Sequence, residues 1–365
     1  MNLPDSTAYQ RLPRFDGGRA LGGAILILLA VVSTMECVLA VRGYHPGLAD
    51  SYPLWERQRQ RVDRLGEKAL VLVGNSRMQI DVDLGILRRE SGREPVQLAI
   101  GGGSFLPVLK DLAADPAMRG TVLVNFEATD LAGKVDAADA ASAYEVRYAG
   151  ARHMDLIDFQ SSEDWLSDRL HANLRSYADG ATPLDSLLLR ILSRESLPQY
   201  ASMQPDREQT LDFGLLPLPR GYLVRAAHDF GEPLLFMPGT TDAQMEEIIR
   251  TKIAGLSAVD NGAFLGRLPA LAQMARAITA RGGRLIFVEF PRGGYLRQID
   301  DRRFPRRQFW DRFIAAVPAR SVNFEDLPAL SSLACPDGSH LDAADRPRFT
   351  QALVDAVDIR GHARP

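Results

Sequence analysis

Residues Ala69–Val73 (ALVLV) form an unbroken apolar run stopped by Gly74, the pattern of a strand buried on both faces. Similar runs recur at 96–100 (VQLAI) before Gly101-Gly102-Gly103, at 121–126 (TVLVNF), and at 284–290 (RLIFVEF) before Pro291. Helical spacing separates the first three, and a β-α-β-α-β order predicts a parallel sheet. A helix over 268–278 ends near Gly282-Gly283 and feeds the fourth run, and a last helix in AADRPRFTQALVDAV places Phe349, Leu353 and Val354 on one side. Between 134 and 266 the chain turns to Ala, Asp, Arg and Leu at helical spacing, with few strand runs. The expectation is an α/β fold whose two halves, 67–134 and 266–360, flank a mainly helical insertion, 135–265.

Ahead of the sheet lies 20–41 (ALGGAILILLAVVSTMECVLAV), long enough for a hydrocarbon core of about 30 Å, with Glu36 its one charged residue. It is read as a transmembrane helix. Arg11, Arg14 and Arg19 precede it and Arg42 alone follows closely, so the positive-inside bias puts the tail 1–19 in the cytoplasm. Everything after Val41 then lies outside, beginning with a polar, Pro-containing linker, 42–66. Val38-Leu39-Ala40 resembles a signal-peptidase site, but the run exceeds a typical signal core of about 7–15 residues, which favours a retained anchor. Glu36 sits near the outer end, where it reaches the interface or a partner helix.

A net charge of −3 without a Lys/Arg block argues against nucleic acid. Cys37 and Cys335 are too far apart in sequence, and Cys37 too deep in the apolar run, to suggest a disulfide; Cys335 reads as a small apolar filler. Of the histidines 45, 153, 171, 228, 340 and 362, none falls in a metal-ligand motif, and neither metal nor cofactor is expected.

Ligands of open α/β sheets gather beyond the carboxyl ends of the strands. Ser76, in Val73-Gly74-Asn75-Ser76-Arg77, sits on such a strand-to-helix turn, where backbone N–H groups can receive an oxyanion. An N-capping serine is the plainer role for that position. In Asp337-Gly338-Ser339-His340, one turn of chain can aim both side chains at one place, the carboxylate holding the imidazole Nδ1–H and leaving Nε2 as base.

Gly74-Asn75-Ser76 and Asp337-Gly338-Ser339-His340 together resemble the Gly-Asp-Ser and Asp-x-x-His blocks of the SGNH/GDSL hydrolases in identity, order and distance from the domain ends, except that Asn75 stands where the family usually has Asp, a position that varies in it and is not the nucleophile. The resemblance covers about 67–134 and 266–358. It implies a three-layer, flavodoxin-like α/β/α fold and a Ser76–His340–Asp337 triad. It also implies oxyanion donors at Gly102, after the second strand, and at Thr129, where Glu127-Ala128-Thr129-Asp130 replaces the family's Gly-x-Asn-Asp. At Thr129 either the hydroxyl donates, another group takes over, or the donor is missing, and a missing donor costs about 10²–10³ in rate.

A single-anchor periplasmic member of the family would be a serine esterase or acetyltransferase of the bacterial inner membrane, acting on acylated cell-surface or exported polysaccharide. The alternative is a non-catalytic glycan-binding or scaffold protein serving a membrane acyltransferase or export complex, which the Thr129 substitution and the long insertion favour. Among the insertion's aromatics, Tyr144, Tyr148, Trp165, Tyr177, Phe213 and Phe230, core filling is the more usual role, with sugar stacking the other. Glu289 and Arg292 flank the fourth strand's end, as a salt bridge more than as pocket lining.

Overall fold

The computed structural model describes residues 17–133, 139–151, 160–193, 198–216 and 218–359. Its strands are β1 Ala69–Val73, β2 Glu94–Gln97, β3 Thr121–Asn125, β4 Ala201–Met203, β5 Gln209–Leu211, β6 Arg284–Glu289 and β7 Arg320–Asn323. Five of them build one sheet in the order β2-β1-β3-β6-β7, with every neighbouring pair parallel. The fold is therefore α/β with a parallel sheet. Because the chain lays β2 on one side of β1 and β3 on the other, a crevice opens beyond the carboxyl ends of β1 and β3.

Strands β1 and β3 are buried along their whole length, as a doubly covered strand requires. Val71, Val73, Val122, Val124 and Phe287 face a core shared with the helices Tyr52–Leu65, Phe105–Ala114 and Gly262–Ala280. On the other face, Leu70, Leu72, Leu123, Ile286 and Val288 pack with Leu84–Ser91 and Arg346–Val357, whose Phe349, Leu353 and Val354 are buried.

The second apolar run lies slightly later than its strand. β2 begins at Glu94, and the chain beyond it stays beside β1, Leu98 N–H donating to Leu72 C=O and Ile100 N–H to Gly74 C=O, each at 2.9 Å. Residues 42–66, expected as a linker, hold a packed helix: Tyr52, Trp55, Arg59 and Val62 recur at helical spacing and are buried. Pro53 falls in that helix's first turn, where its missing N–H costs nothing.

Among the described residues between β3 and β6, the regular elements are helices and the antiparallel β4–β5 hairpin. The helices Leu218–His228, Asp242–Ala254 and Gly294–Arg303 share a small core of their own, built on Leu223, Phe230, Met245, Ile249, Leu296 and Ile299. Tyr144 and Tyr148 lie against Trp55, at 5.7 and 5.8 Å between ring centres, Tyr177 lies against His171, and Phe213 and Phe230 are buried. Tyr144, Tyr148, Phe213 and Phe230 fill cores; Trp165 lies outside the residues whose side chains are described.

Helix Gly17–Val41 is long and apolar enough to cross a membrane, extending about 37 Å. Leu26, Ile27 and Leu28 along it are exposed, whereas Leu39 at its end is fully buried against the domain. Glu36 accepts the N–H groups of Arg175 and Ser176, at 2.8 and 2.9 Å, at the start of the 3-10 helix Arg175–Gly180. The carboxylate is thus spent on two otherwise unpaired donors of this chain.

Candidate active site

Gly74 ends β1 with φ 147°, and a Cβ there would stand 2.7 Å from Asn125 Cβ on β3. Only glycine lets the chain turn so tightly at this sheet position. Gly74→Ala is expected to cost about 1–3 kcal/mol in backbone strain alone and to displace Ser76, which thermal unfolding and ester turnover of the purified variant both read. Asn75 then caps the helix Ser76–Ile80, its Oδ1 accepting Arg77 N–H at 3.0 Å. The same oxygen accepts Asn125 Nδ2 at 2.9 Å, tying the turn to β3.

Across the chain's full length, His340 Nε2 lies 2.8 Å from Ser76 Oγ, and His340 Nδ1 lies 2.8 Å from Asp337 Oδ2. The other Asp337 oxygen accepts the backbone N–H groups of Ser339 and His340 at 2.9 and 2.7 Å, which fixes the carboxylate under the ring. Their loop is held from several sides. Leu341 N–H donates to buried Asp81 at 2.9 Å, Gly293 N–H to Gly338 C=O at 3.0 Å, and Ala343 N–H to Leu211 C=O at 2.8 Å. Ser76, His340 and Asp337 are brought together in one hydrogen-bonded line, an arrangement in which hydroxyl, imidazole and carboxylate can serve as nucleophile, base and orienting acid.

The electrostatics suit those roles. Burial pushes Asp337 up, but the hydrogen bond and charge of His340 and the Arg225 guanidinium, 3.4 Å away, more than reverse this and hold it at about 2. Burial lowers His340, and Arg225 and Arg77 lower it further, against the upward pull of Asp337. The net direction is downward, so the imidazole is neutral near pH 7 and free to accept a proton.

Gly102 has φ 70° in a turn closed by Gly103 N–H to Ile100 C=O at 2.9 Å, a bond that leaves the Gly102 N–H for other partners. The turn is set beside Gly74 by the Ile100 N–H bond. Thr129 is exposed on the helix Ala128–Ala132 after β3 and lines a cavity of about 70 Å³ with Arg77, Glu127, Glu289 and Arg292. That space admits a few waters and no sugar.

Glu289 and Arg292 both line this cavity, each with other partners. Arg292 binds Asp229 at 3.1 Å and also Asp300, while Glu289 accepts Asn323 Nδ2 at 2.5 Å. Burial, then the charges of Asp300 and Glu325, push Glu289 up to about 8. Burial also raises Glu127, but the charges of Arg77 and Arg292 and the hydrogen bonds from Asn75 and Asn125 together outweigh it and lower it, so Glu127 is the ionised partner of Arg77, Asn75 and Asn125. Cys335 is partly buried against the core, and burial raises its thiol to about 12, as suits a packing residue more than a nucleophile.

Three site residues are invisible to sequence motifs. Arg225 and Arg207 reach the site from distant segments and Asp81 from the end of the helix Ser76–Ile80, and none sits in a local pattern that marks it. Among the described residues, no cluster of His, Cys, Asp and Glu is arranged to hold a metal. No family model matches the chain, and neither does any curated protein or solved structure.

Proposed function

We propose that the protein is a membrane-anchored serine esterase or acyltransferase of the SGNH type, working outside the cytoplasm on acylated polysaccharide. The observation that carries this reading is the relay Ser76 Oγ–His340–Asp337, with both links at 2.8 Å. The helices packed on both sheet faces and the β2-β1-β3-β6-β7 order support a three-layer α/β/α arrangement. Retention of the anchor is supported by Glu36 and Leu39, which cleavage after Ala40 would strip from the domain. The arginine bias around the helix supports a cytoplasmic N-terminus and a periplasmic domain at a bacterial inner membrane.

In this mechanism His340 Nε2 takes the Ser76 proton as Oγ attacks the ester carbonyl. The oxyanion rests on the Ser76 and Gly102 N–H groups. Collapse breaks the ester C–O bond, and His340 returns the proton to the departing alkoxide, leaving acyl-Ser76. Water then releases a carboxylic acid; a sugar hydroxyl instead carries the acyl group away. The test is a p-nitrophenyl acetate burst from the full chain in detergent, followed by NMR of an O-acetylated polysaccharide incubated with it. A burst stoichiometric with protein supports the acyl-enzyme, and loss or relocation of the acetyl signal separates hydrolysis from transfer.

Thr129 in place of asparagine favours the second reading, a glycan-binding or scaffold protein of a polysaccharide acyltransferase or export complex. A folded chain without a burst would put that reading first.

Arg225 supplies a pH prediction. His340 acts as base only when neutral, so turnover falls as pH drops through its depressed pKa. Removing the nearby cation raises that pKa, and Arg225→Gln is therefore expected to move the acid limb of kcat/KM to higher pH. A limb that stays put or moves lower contradicts this assignment.

A further inference from the structure

We infer that the leucine-rich segment around the π-helix Ser186–Leu192 dips into the outer leaflet of the membrane beside the anchor, giving the domain a second lipid contact. The inference rests on reading Gly17–Val41 as a retained transmembrane helix. Leu184, Leu187, Leu188, Leu189 and Leu192 are 62, 38, 50, 64 and 64 % exposed, an apolar density that a water-facing segment does not need. Ser186 is buried and turned inward, its hydroxyl donating to Ser176 C=O at 2.7 Å.

The position of this segment names what covers it. Arg42, the first residue beyond the anchor helix, donates to the Arg190 carbonyl inside the leucine run. Arg190 in turn lies over the Tyr44 ring, 4.8 Å from its centre, and donates to Ala178 C=O at 3.1 Å. Arg175 donates to Tyr44 C=O at 3.0 Å while its backbone N–H is held by Glu36. Leucines fastened so closely to the end of a membrane-spanning helix lie at the depth where that helix leaves the hydrocarbon.

At that depth the neighbour is lipid. Exposed Arg42 and Tyr200, with partly exposed Arg175, make the cationic and aromatic fringe that suits a headgroup layer, while Tyr44 and most of Arg190 are packed beneath it. The carboxylates nearby are engaged: Asp179 with Gln199 and Arg190, Asp185 with Thr182. A short apolar segment with charged flanks lying in the interfacial plane is how monotopic helices bind. Two contacts would fix the domain's tilt over the membrane, where a single helix leaves it free to swivel.

The experiment uses the full chain in vesicles of phosphatidylcholine and phosphatidylglycerol, in a Cys37→Ser, Cys335→Ser background. Single cysteines replace Leu188, Val41 at the anchor's end, or Leu235, which is 90 % exposed, and each carries a bimane fluorophore. Lipids spin-labelled just below the headgroup are expected to quench Leu188→Cys and Val41→Cys by about twofold or more and to spare Leu235→Cys. Quenching at Val41→Cys without quenching at Leu188→Cys overturns the inference, keeps the anchor, and leaves the leucines to a protein partner. Silence at both overturns the anchor reading and the inference with it. Equal quenching at all three sites overturns a selective contact.

Discussion

Ser76→Ala and His340→Ala are each expected to abolish the acyl-enzyme burst and to lower ester turnover by about 10⁶-fold if the triad is as effective as well-studied ones. The two losses should not add. With either residue gone, the other has no partner for the proton that moves from Oγ to Nε2, so the double variant is expected to match the singles. Asp337→Asn is milder, about 10⁴-fold, because geometry survives while the ring loses its anionic partner and its correct tautomer. Steady-state kinetics of the four variants on p-nitrophenyl acetate check this. Additive losses would mean that Ser76 and His340 act separately and that their 2.8 Å contact is a structural hydrogen bond.

Arg207→Ala is expected to be the most damaging single change away from the triad. Arg207 lies in the β4–β5 turn, at φ 65°, and its side chain is fully buried. Its guanidinium donates to Gln97 C=O at 2.8 Å and Ala99 C=O at 2.9 Å, just ahead of the Gly101–Gly103 turn, and to both Asp50 oxygens at 2.8 and 2.7 Å. The same hairpin braces the opposite wall, through Leu211 C=O to Ala343 N–H and through Glu208 to Arg346 at 2.5 Å. Truncation leaves two buried carbonyls without their donor and Asp50 with only Gln79 and Ser51, at a cost of about 1–3 kcal/mol for each buried acceptor left unmet. Thermal and urea unfolding should report it, with exposed Arg220→Ala as the unchanged control. Because the hairpin meets both walls, burst amplitude in the surviving folded fraction should fall as well.

The sheet's centre was legible because burial on both faces leaves no room for polar alternation. β1, β3 and β6 fall where the apolar runs are. Edge strand β7 (RSVN) is short, with an exposed first residue, so hydropathy gives it no signature. The hairpin strands are shorter still and polar, and their positions come from Arg207 and Glu208 reaching across the fold. The helix Tyr52–Leu65 hid behind its charges: Arg59 faces inward, fully buried against Asp63, Asp111 and Asp115 at 2.6, 2.6 and 2.5 Å. An inward arginine with three carboxylates looks, in one dimension, like a solvated face.

Of the site, Ser76 was legible from the strand-to-helix turn after β1, and Asp337 and His340 from their three-residue spacing on a loop ahead of the last helix, the two read together through the resemblance of both blocks to one family. Arg225 and Asp81 were not, since they meet the triad loop only in space, from the helix Leu218–His228 and from the end of the helix Ser76–Ile80. Glu36 was legible as an oddity in an apolar helix, but its partners, the Arg175 and Ser176 N–H groups, lie far along the chain.

The central claim is that Ser76 is a nucleophile activated by His340. Its most direct test is peptide mass spectrometry of the full chain after treatment with a fluorophosphonate. The account predicts one adduct, on the peptide carrying Ser76, absent from Ser76→Ala and strongly reduced in His340→Ala. A folded wild-type chain that takes up no label, or one labelled equally with Ser76→Ala, would contradict it.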